Sequence, residues 1–391
     1  MSSPSPIPRK LAADLPSRIP SLDGMRAVSI GLVLISHLMY SSGTRNPRIA
    51  MAAGSLGGFG VEVFFVISGF IITHLLLKES DRTGTVSLRN FYVRRAFRIW
   101  PAYYLFLFTI FVLQRARILG LPTRDIIAAG AFVWNYTHAT NTWLGHTWSL
   151  SVEEHFYLFW PAILWLFGVR RALGVAMALL VVVPAVRILT LVCLPSGNFL
   201  VWRMGLLGHT RMDSMMFGCV TAILLGHEAF RGRMVAFLGG AGRWIALACL
   251  VGSFIVTQYV PHYLETIGLS LEGAGIALML IWLVCRADGG MGRVLNTPVL
   301  VHVGLISFSL YLWQQLFINE KTIPLLRHAP MCLLCSFALA EFSYWCVERP
   351  FLRMREKWTR GRPRPSHYLD SATETKPVES LAPQPTQIVG G

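Results

Sequence analysis

Long apolar stretches dominate the chain and recur about once every 25 to 50 residues, separated by polar connections rich in arginine. A helix needs about 20 mostly apolar residues to cross the hydrocarbon core of a bilayer. That criterion picks out residues 22–41, 58–78, 97–115, 149–168, 172–193, 212–228, 243–260, 267–285, 299–318 and 325–346. An all-α, polytopic transmembrane bundle of about ten spans is predicted. The apolar piece 125–137 is shorter, and its length is compatible with a re-entrant or surface element or with an eleventh crossing. Composition agrees: 54% of residues are hydrophobic and only 14% charged, against roughly 25% charged in a soluble domain.

Charge sets the expected orientation. The net charge is +15, and cytoplasmic loops of membrane proteins carry the excess of Lys and Arg. With ten spans and an inside N-terminus, the inner loops hold Arg82, Arg89, Arg94 and Arg95, then Arg170 and Arg171, Arg231 and Arg233, and Arg286 and Arg293. The last inner segment holds Arg349, Arg353, Arg355, Lys357, Arg360, Arg362 and Arg364, while Arg115, Arg117 and Arg124 are exceptions on the outer side. Both termini are therefore expected in the cytoplasm of a multi-pass protein of the cell inner (plasma) membrane. Basic residues interrupted by apolar spans form no continuous stripe, which argues against nucleic acid as a partner. The division expected is a polar N-terminal segment 1–20 without the apolar core of a cleavable signal, a transmembrane domain 21–355, and a disordered cytoplasmic tail 356–391 rich in Pro, Ser, Thr and Gln. The seven cysteines lie in or beside apolar segments, and the single CxxC pair, Cys332 and Cys335, has no second pair to complete a zinc site. No metal is expected.

Titratable side chains within spans are costly and therefore candidates for function. In SLDGMRAVSIGLVLISHLMY, Arg26 and His37 are eleven residues apart, three helical turns plus about 20°, so both project from one face about 16 Å apart. That spacing suits a long ligand held by charge at one end with its reactive group at His37, although a histidine can also act as interhelical glue. GGFGVEVFFVISGF places Glu62 and Ser68 in the second span among glycines suited to close helix packing. NFYVRRAFRIWP gathers Arg94, Arg95 and Arg98 at a helix start, a planar-donor cluster fit for phosphate or for fixing topology. HTWSLSVEEHFYLFWP carries Glu153 and Glu154 about 100° apart, so at most one of them can face a given partner such as His37. In HTRMDSMMFG, Arg211 and Asp213 can pair with each other or meet a polar acceptor, and GLISFSLYLWQQLF buries Gln314 and Gln315.

Together these segments resemble the acyltransferase 3 family of membrane O-acyltransferases. Arg26 and His37 match its Arg-x10-His signature. GVEVFFVISGFIIT, RRAFRIWPAYY, TWSLSVEEHFY, RMDSMMFG, SFSLYLW and VERPFL follow in the family's order, covering roughly residues 20–355. The resemblance implies an O-acyltransferase that moves an acyl group, acetyl by default, from cytosolic acyl-CoA to a hydroxyl of a surface glycan, lipid-linked sugar or small molecule. It implies His37 as general base, with Glu153 the essential carboxylate and Glu154 beside it. Arg26, Arg94, Arg95 and Arg98 become donor contacts. Glu62, Ser68, Trp148, Arg211, Asp213 and Gln314 are placed with the substrates. Glu153 is expected to fix the His37 tautomer as the third member of a triad does. Acyl-CoA would be a co-substrate, with no tightly bound cofactor. Two departures stand out: Gln314 follows Trp313 where the family often has histidine, and Glu62 stands where it commonly has Asp. Some relatives carry a fused extracytoplasmic esterase-like domain, and the sequence leaves no room for one after the last span, so such a partner is expected as a separate protein. A transporter of glycans or small molecules explains the spans but not the alignment of Arg26 with His37. A non-catalytic acyl-binding subunit predicts CoA binding without turnover.

Overall fold

A computed structural model describes residues 19–42, 46–138 and 140–359. Of the polar N-terminal segment read at 1–20 and the disordered tail read at 356–391, residues 1–18 and 360–391 lie outside the described residues; residues 356–359, read as part of the tail, instead continue the last helix. Every regular element among the described residues is helical. The principal helices are α1 (Pro20–Ser41), α2 (Pro47–Thr83), α3 (Leu88–Arg115), α4 (Thr123–Gly130), α5 (Thr147–Cys193) and α6 (Met212–Leu225). They continue as α7 (Glu228–Gly239), α8 (Gly242–Thr257), α9 (Leu264–Cys285), α10 (Pro298–Leu316) and α11 (Met331–Lys357).

Seven of these are long and apolar enough to cross a membrane, or eight if α7 and α8, bent by 78° at their junction, form one span. The ten spans read from the sequence differ at three places. Residues 149–168 and 172–193 are two helices joined without a loop in a run of 47 residues, the break falling where Gly168 takes φ 71° and ψ 169°. Residues 212–228 give a helix of only 14 residues, and 243–260 falls in the bent pair. The segment 125–137 does not cross. Its helix α4 has eight residues, about 12 Å against a core of about 30 Å. The hydroxyls of Tyr103 and Tyr104 donate to the carbonyls of Ala129 and Gly130 at 2.8 and 2.9 Å, which satisfies acceptors at its end.

The bundle is organised around α1, which packs between α2 and α10, while α6 packs against α2, α5 and α9. Small residues let these helices close up, as helix association in lipid requires. A Cβ added at Gly69 would lie 2.0 Å from the carbonyl oxygen of Met215, and one at Gly218 would lie 2.0 Å from that of Val66. α2 and α6 are therefore in backbone contact, each through the glycine of the other. Helix α5 does the opposite: Phe159, Trp165, Leu166, Val181 and Val192 are exposed along it, an apolar surface that lipid must cover.

Candidate active site

The register of α1 against α2 positions the site. Gly57 abuts Ser36 and Gly60 abuts Val33, so three residues along one helix match three back along the other. The same register carries Ser68 level with Met25 and Arg26, while His37 stands at the opposite end of α1.

At the His37 end, α10 finishes in a tight turn that turns its glutamines inward. The amide nitrogen of Gln314 donates to Oε1 of Gln315 at 3.3 Å, and its carbonyl oxygen lies 2.8 Å from Nδ1 of His37. An amide oxygen only accepts, so the hydrogen sits on Nδ1 and Nε2 keeps its lone pair. His37 is half-buried and Gln314 fully buried. His146 stands close enough to His37 to interact with it electrostatically. Its ring is enclosed by Phe106 and Tyr311, with centroids at 5.4 Å for each. Neither nitrogen of the His146 ring meets hydrogen-bond geometry, although the Leu312 backbone is close by, and the indole nitrogen of Trp313 is likewise unpartnered. Tyr311 fixes the segment by donating to the His146 carbonyl at 2.9 Å and sharing a hydrogen bond with Ser149 at 2.6 Å.

Glu153 belongs to the other end. Ser68 donates to its Oε1 at 2.8 Å, and Tyr157 donates to its Oε2 at 3.1 Å and to Ser68 at 3.2 Å. The expectation that Glu153 orients His37 is thus corrected: Gln314 occupies Nδ1, and Glu153 sits within electrostatic reach of Arg26, which is eleven residues or about 16 Å along α1 from His37. Ser68 thus has a carboxylate as its hydrogen-bond partner. Glu154 turns toward Arg95 and Trp100, as a step of about 100° from Glu153 requires.

Around this lower cluster the arginines divide. Arg94 pairs with Glu79 at 2.6 Å. Arg95 stacks over the ring of Tyr157 with its guanidinium carbon 4.5 Å from the centroid. Arg26 and Arg98 lie within electrostatic reach of each other. Among the described residues, Arg26, Arg95 and Arg98 have no carboxylate within the 4.0 Å of an ion pair. Glu348, in a wide π-helical turn of α11, accepts a hydrogen bond from Ser309 and faces Arg26 and Arg98.

Arg211 and Asp213 do not pair with each other, because two residues apart on a helix they point to different sides. Arg211 meets Glu62 at 2.9 Å, its guanidinium between the rings of Phe65 and Trp148 at 5.5 Å each. Asp213 receives both terminal nitrogens of Arg187, at 3.0 and 2.9 Å, in a pair 1% exposed or less. Ser270 and the carbonyls of Thr210 and Thr266 complete that network. Glu62, Trp148, Arg211 and Asp213 therefore tie α2, α5, α6 and α9 together. His146, Tyr157 and Arg187 escape a sequence reading. His146 and Arg187 carry the one usable signal, a titratable residue in or beside an apolar stretch.

The all-helical bundle, with seven helices long and apolar enough to cross a membrane among the described residues, defines a class: a polytopic membrane protein. The comparisons narrow this. The acyltransferase domain family Acyl_transf_3 matches residues 19–339, so the chain belongs to the acyltransferase 3 family. It is similar to the peptidoglycan O-acetyltransferase OatA of Listeria monocytogenes, at 27% identity over 85% of this chain and 55% of the relative. A putative peptidoglycan O-acetyltransferase of Bacillus subtilis, YrhL, is 28% identical over 85% of this chain and 54% of its own length. A putative O-acetyltransferase of Staphylococcus aureus (strain COL) is 28% identical over 88% and 59%. The chain thus spans a little over half the length of these relatives. No solved structure matches.

Proposed function

We propose that the chain is an O-acyltransferase of the cell inner membrane, transferring an acetyl group from cytosolic acetyl-CoA to a hydroxyl of an envelope glycan. The observation that carries the reading is the alignment on α1 of a tautomer-fixed imidazole at one end with unpaired guanidinium groups at the other. Arginine-rich inner loops favour cytoplasmic termini, which puts the Arg26 end toward the cytosol. The donor's phosphates meet Arg26, Arg95 and Arg98, and the arm runs along α1 to bring the thioester to His37. Nε2 of His37 removes the proton of the acceptor hydroxyl, the oxygen attacks the thioester carbonyl, and the carbon–sulfur bond breaks. The proton then passes from the imidazole to the departing thiolate. A glycan acceptor of the peptidoglycan type follows from the names of the relatives, and a secreted small molecule is the alternative hydroxyl.

The test is release of CoA thiol from acetyl-CoA by purified protein, with and without glycan fragments. Acceptor-dependent release is expected in the wild type, falling about 10²- to 10⁴-fold in His37→Ala with folding intact. Binding or transport of the glycan with no CoA release would replace the reading with a transporter, and near-normal turnover in His37→Ala would remove the imidazole from its role.

A further inference from the structure

The His37 end of the bundle holds buried donors that lack acceptors. His146 is 5% exposed, and neither nitrogen of its ring has a partner in hydrogen-bond geometry, the nearby Leu312 backbone included. Trp313 and Asn319, each 3% exposed, likewise leave the indole N–H and the side-chain Nδ2 without partners. The Asn319 amide is oriented, because its Oδ1 accepts from the Thr142 hydroxyl at 3.1 Å and from the Lys321 backbone N–H at 3.0 Å. Buried donors are costly to leave unmet, so this region is fitted to a ligand that brings oxygen acceptors. The groups lie together. The rings of His146 and Trp313 both pack on Phe106, at 5.4 and 5.6 Å, and Thr142, which holds Asn319, precedes His146 in the same connection. His37 is beside them. It bonds Gln314, the His146 ring packs on Tyr311 at 5.4 Å, and those two residues stand about one turn apart on α10.

We propose that His146 is a second catalytic residue, donating an N–H to the thioester carbonyl oxygen as negative charge builds there. This rests on the transfer proposed above and deepens it. His37 already supplies the base, and His146 is enclosed by the rings of Phe106 and Tyr311 with no carboxylate among its partners. Beside a His37 that takes up a proton, a second imidazolium would be both desolvated and repelled, so His146 stays neutral. A neutral imidazole carries one N–H, which an oxyanion can accept. As the acceptor oxygen bonds the carbonyl carbon, the carbonyl π pair moves onto oxygen, where His146 meets it. The carbonyl then reforms, the carbon–sulfur bond breaks, and the thiolate takes the proton from His37. His146 gains and loses no proton.

The experiment replaces His146 in the full chain with Asn and Gln, which keep an N–H near one or other ring nitrogen, and with Phe and Leu, which keep bulk without a donor. CoA thiol release from acetyl-CoA with glycan acceptor gives kcat and KM as a function of pH. Monodisperse elution in detergent serves as the folding control. In His146→Phe and His146→Leu, kcat is expected to fall about 10²- to 10³-fold with KM for acetyl-CoA little changed, the effect of losing one oxyanion donor. The better of His146→Asn and His146→Gln should recover about tenfold or more of that loss. Its pH profile should keep the wild-type shape, because His37 titrates and His146 does not. If folded Phe or Leu variants match the amide variants, the donor role fails and the function stands. A changed pH profile in the amide variants would instead make His146 a base and overturn the inference. Should Phe and Leu not fold, the amide variants decide: a loss of about 10²-fold or more in both defeats the inference. No acceptor-dependent release by the wild type would defeat the function itself.

Discussion

At the scale of single residues, the chemistry depends on what holds each polar group. A neutral amide on Nδ1 fixes the tautomer of His37 but supplies no negative charge to stabilise the imidazolium, unlike the carboxylate of a triad. Replacing Gln314 with Ala leaves a buried imidazole N–H without its acceptor, worth about 1–3 kcal/mol. The expected result is a fall in kcat of about 10- to 100-fold at nearly constant KM for acetyl-CoA, measured in the purified enzyme. An unchanged kcat would mean that the tautomer is set by something else. Much of this was visible in the sequence: the eleven-residue spacing put Arg26 and His37 on one face, and the Gln314 substitution was evident against the family pattern. The partnership between Gln314 and His37 was not visible, because it joins residues 277 positions apart whose meeting depends on how α10 packs on α1. Glu153 was read toward His37 for the same reason. Sequence spacing fixes the direction of a side chain on its own helix, but not the height at which two helices meet.

Between elements, polar ties and close backbone contact set the packing. The Arg187–Asp213 pair, buried with Ser270 and two carbonyls, locks the second half of α5 to α6 and α9. Breaking a buried pair from one side strands a charge and costs about 3–5 kcal/mol, whereas removing both partners costs less than the sum. Arg187→Ala and Asp213→Ala are each expected to lower the thermal unfolding midpoint in detergent strongly, and the double variant to be no worse than either. Additive losses would show that the two do not act as one unit. Helix type and the positions of most spans were legible as apolar runs of the right length. The break at Gly168 was not, because a hydropathy pattern gives two spans whether the join is a loop or a kink. Nor could a run of 14 residues at α6 announce that it is shortened yet wholly engaged by its neighbours.

Over the whole molecule, the arrangement is a bundle with α5 turned to lipid and with two chemically distinct poles on α1. Guanidinium groups from α1 and α3 converge at one pole, and aromatic rings and amides enclose His37 and His146 at the other. On the proposed function the donor enters from the arginine side. The direct test uses membrane vesicles of defined sidedness containing either the wild type or His37→Ala, supplied with membrane-impermeant acetyl-CoA. Transfer to glycan acceptor is expected only where the cytoplasmic face is exposed to the donor, and only with the imidazole present. Transfer from the opposite face, or equal transfer by the alanine variant, would contradict the account.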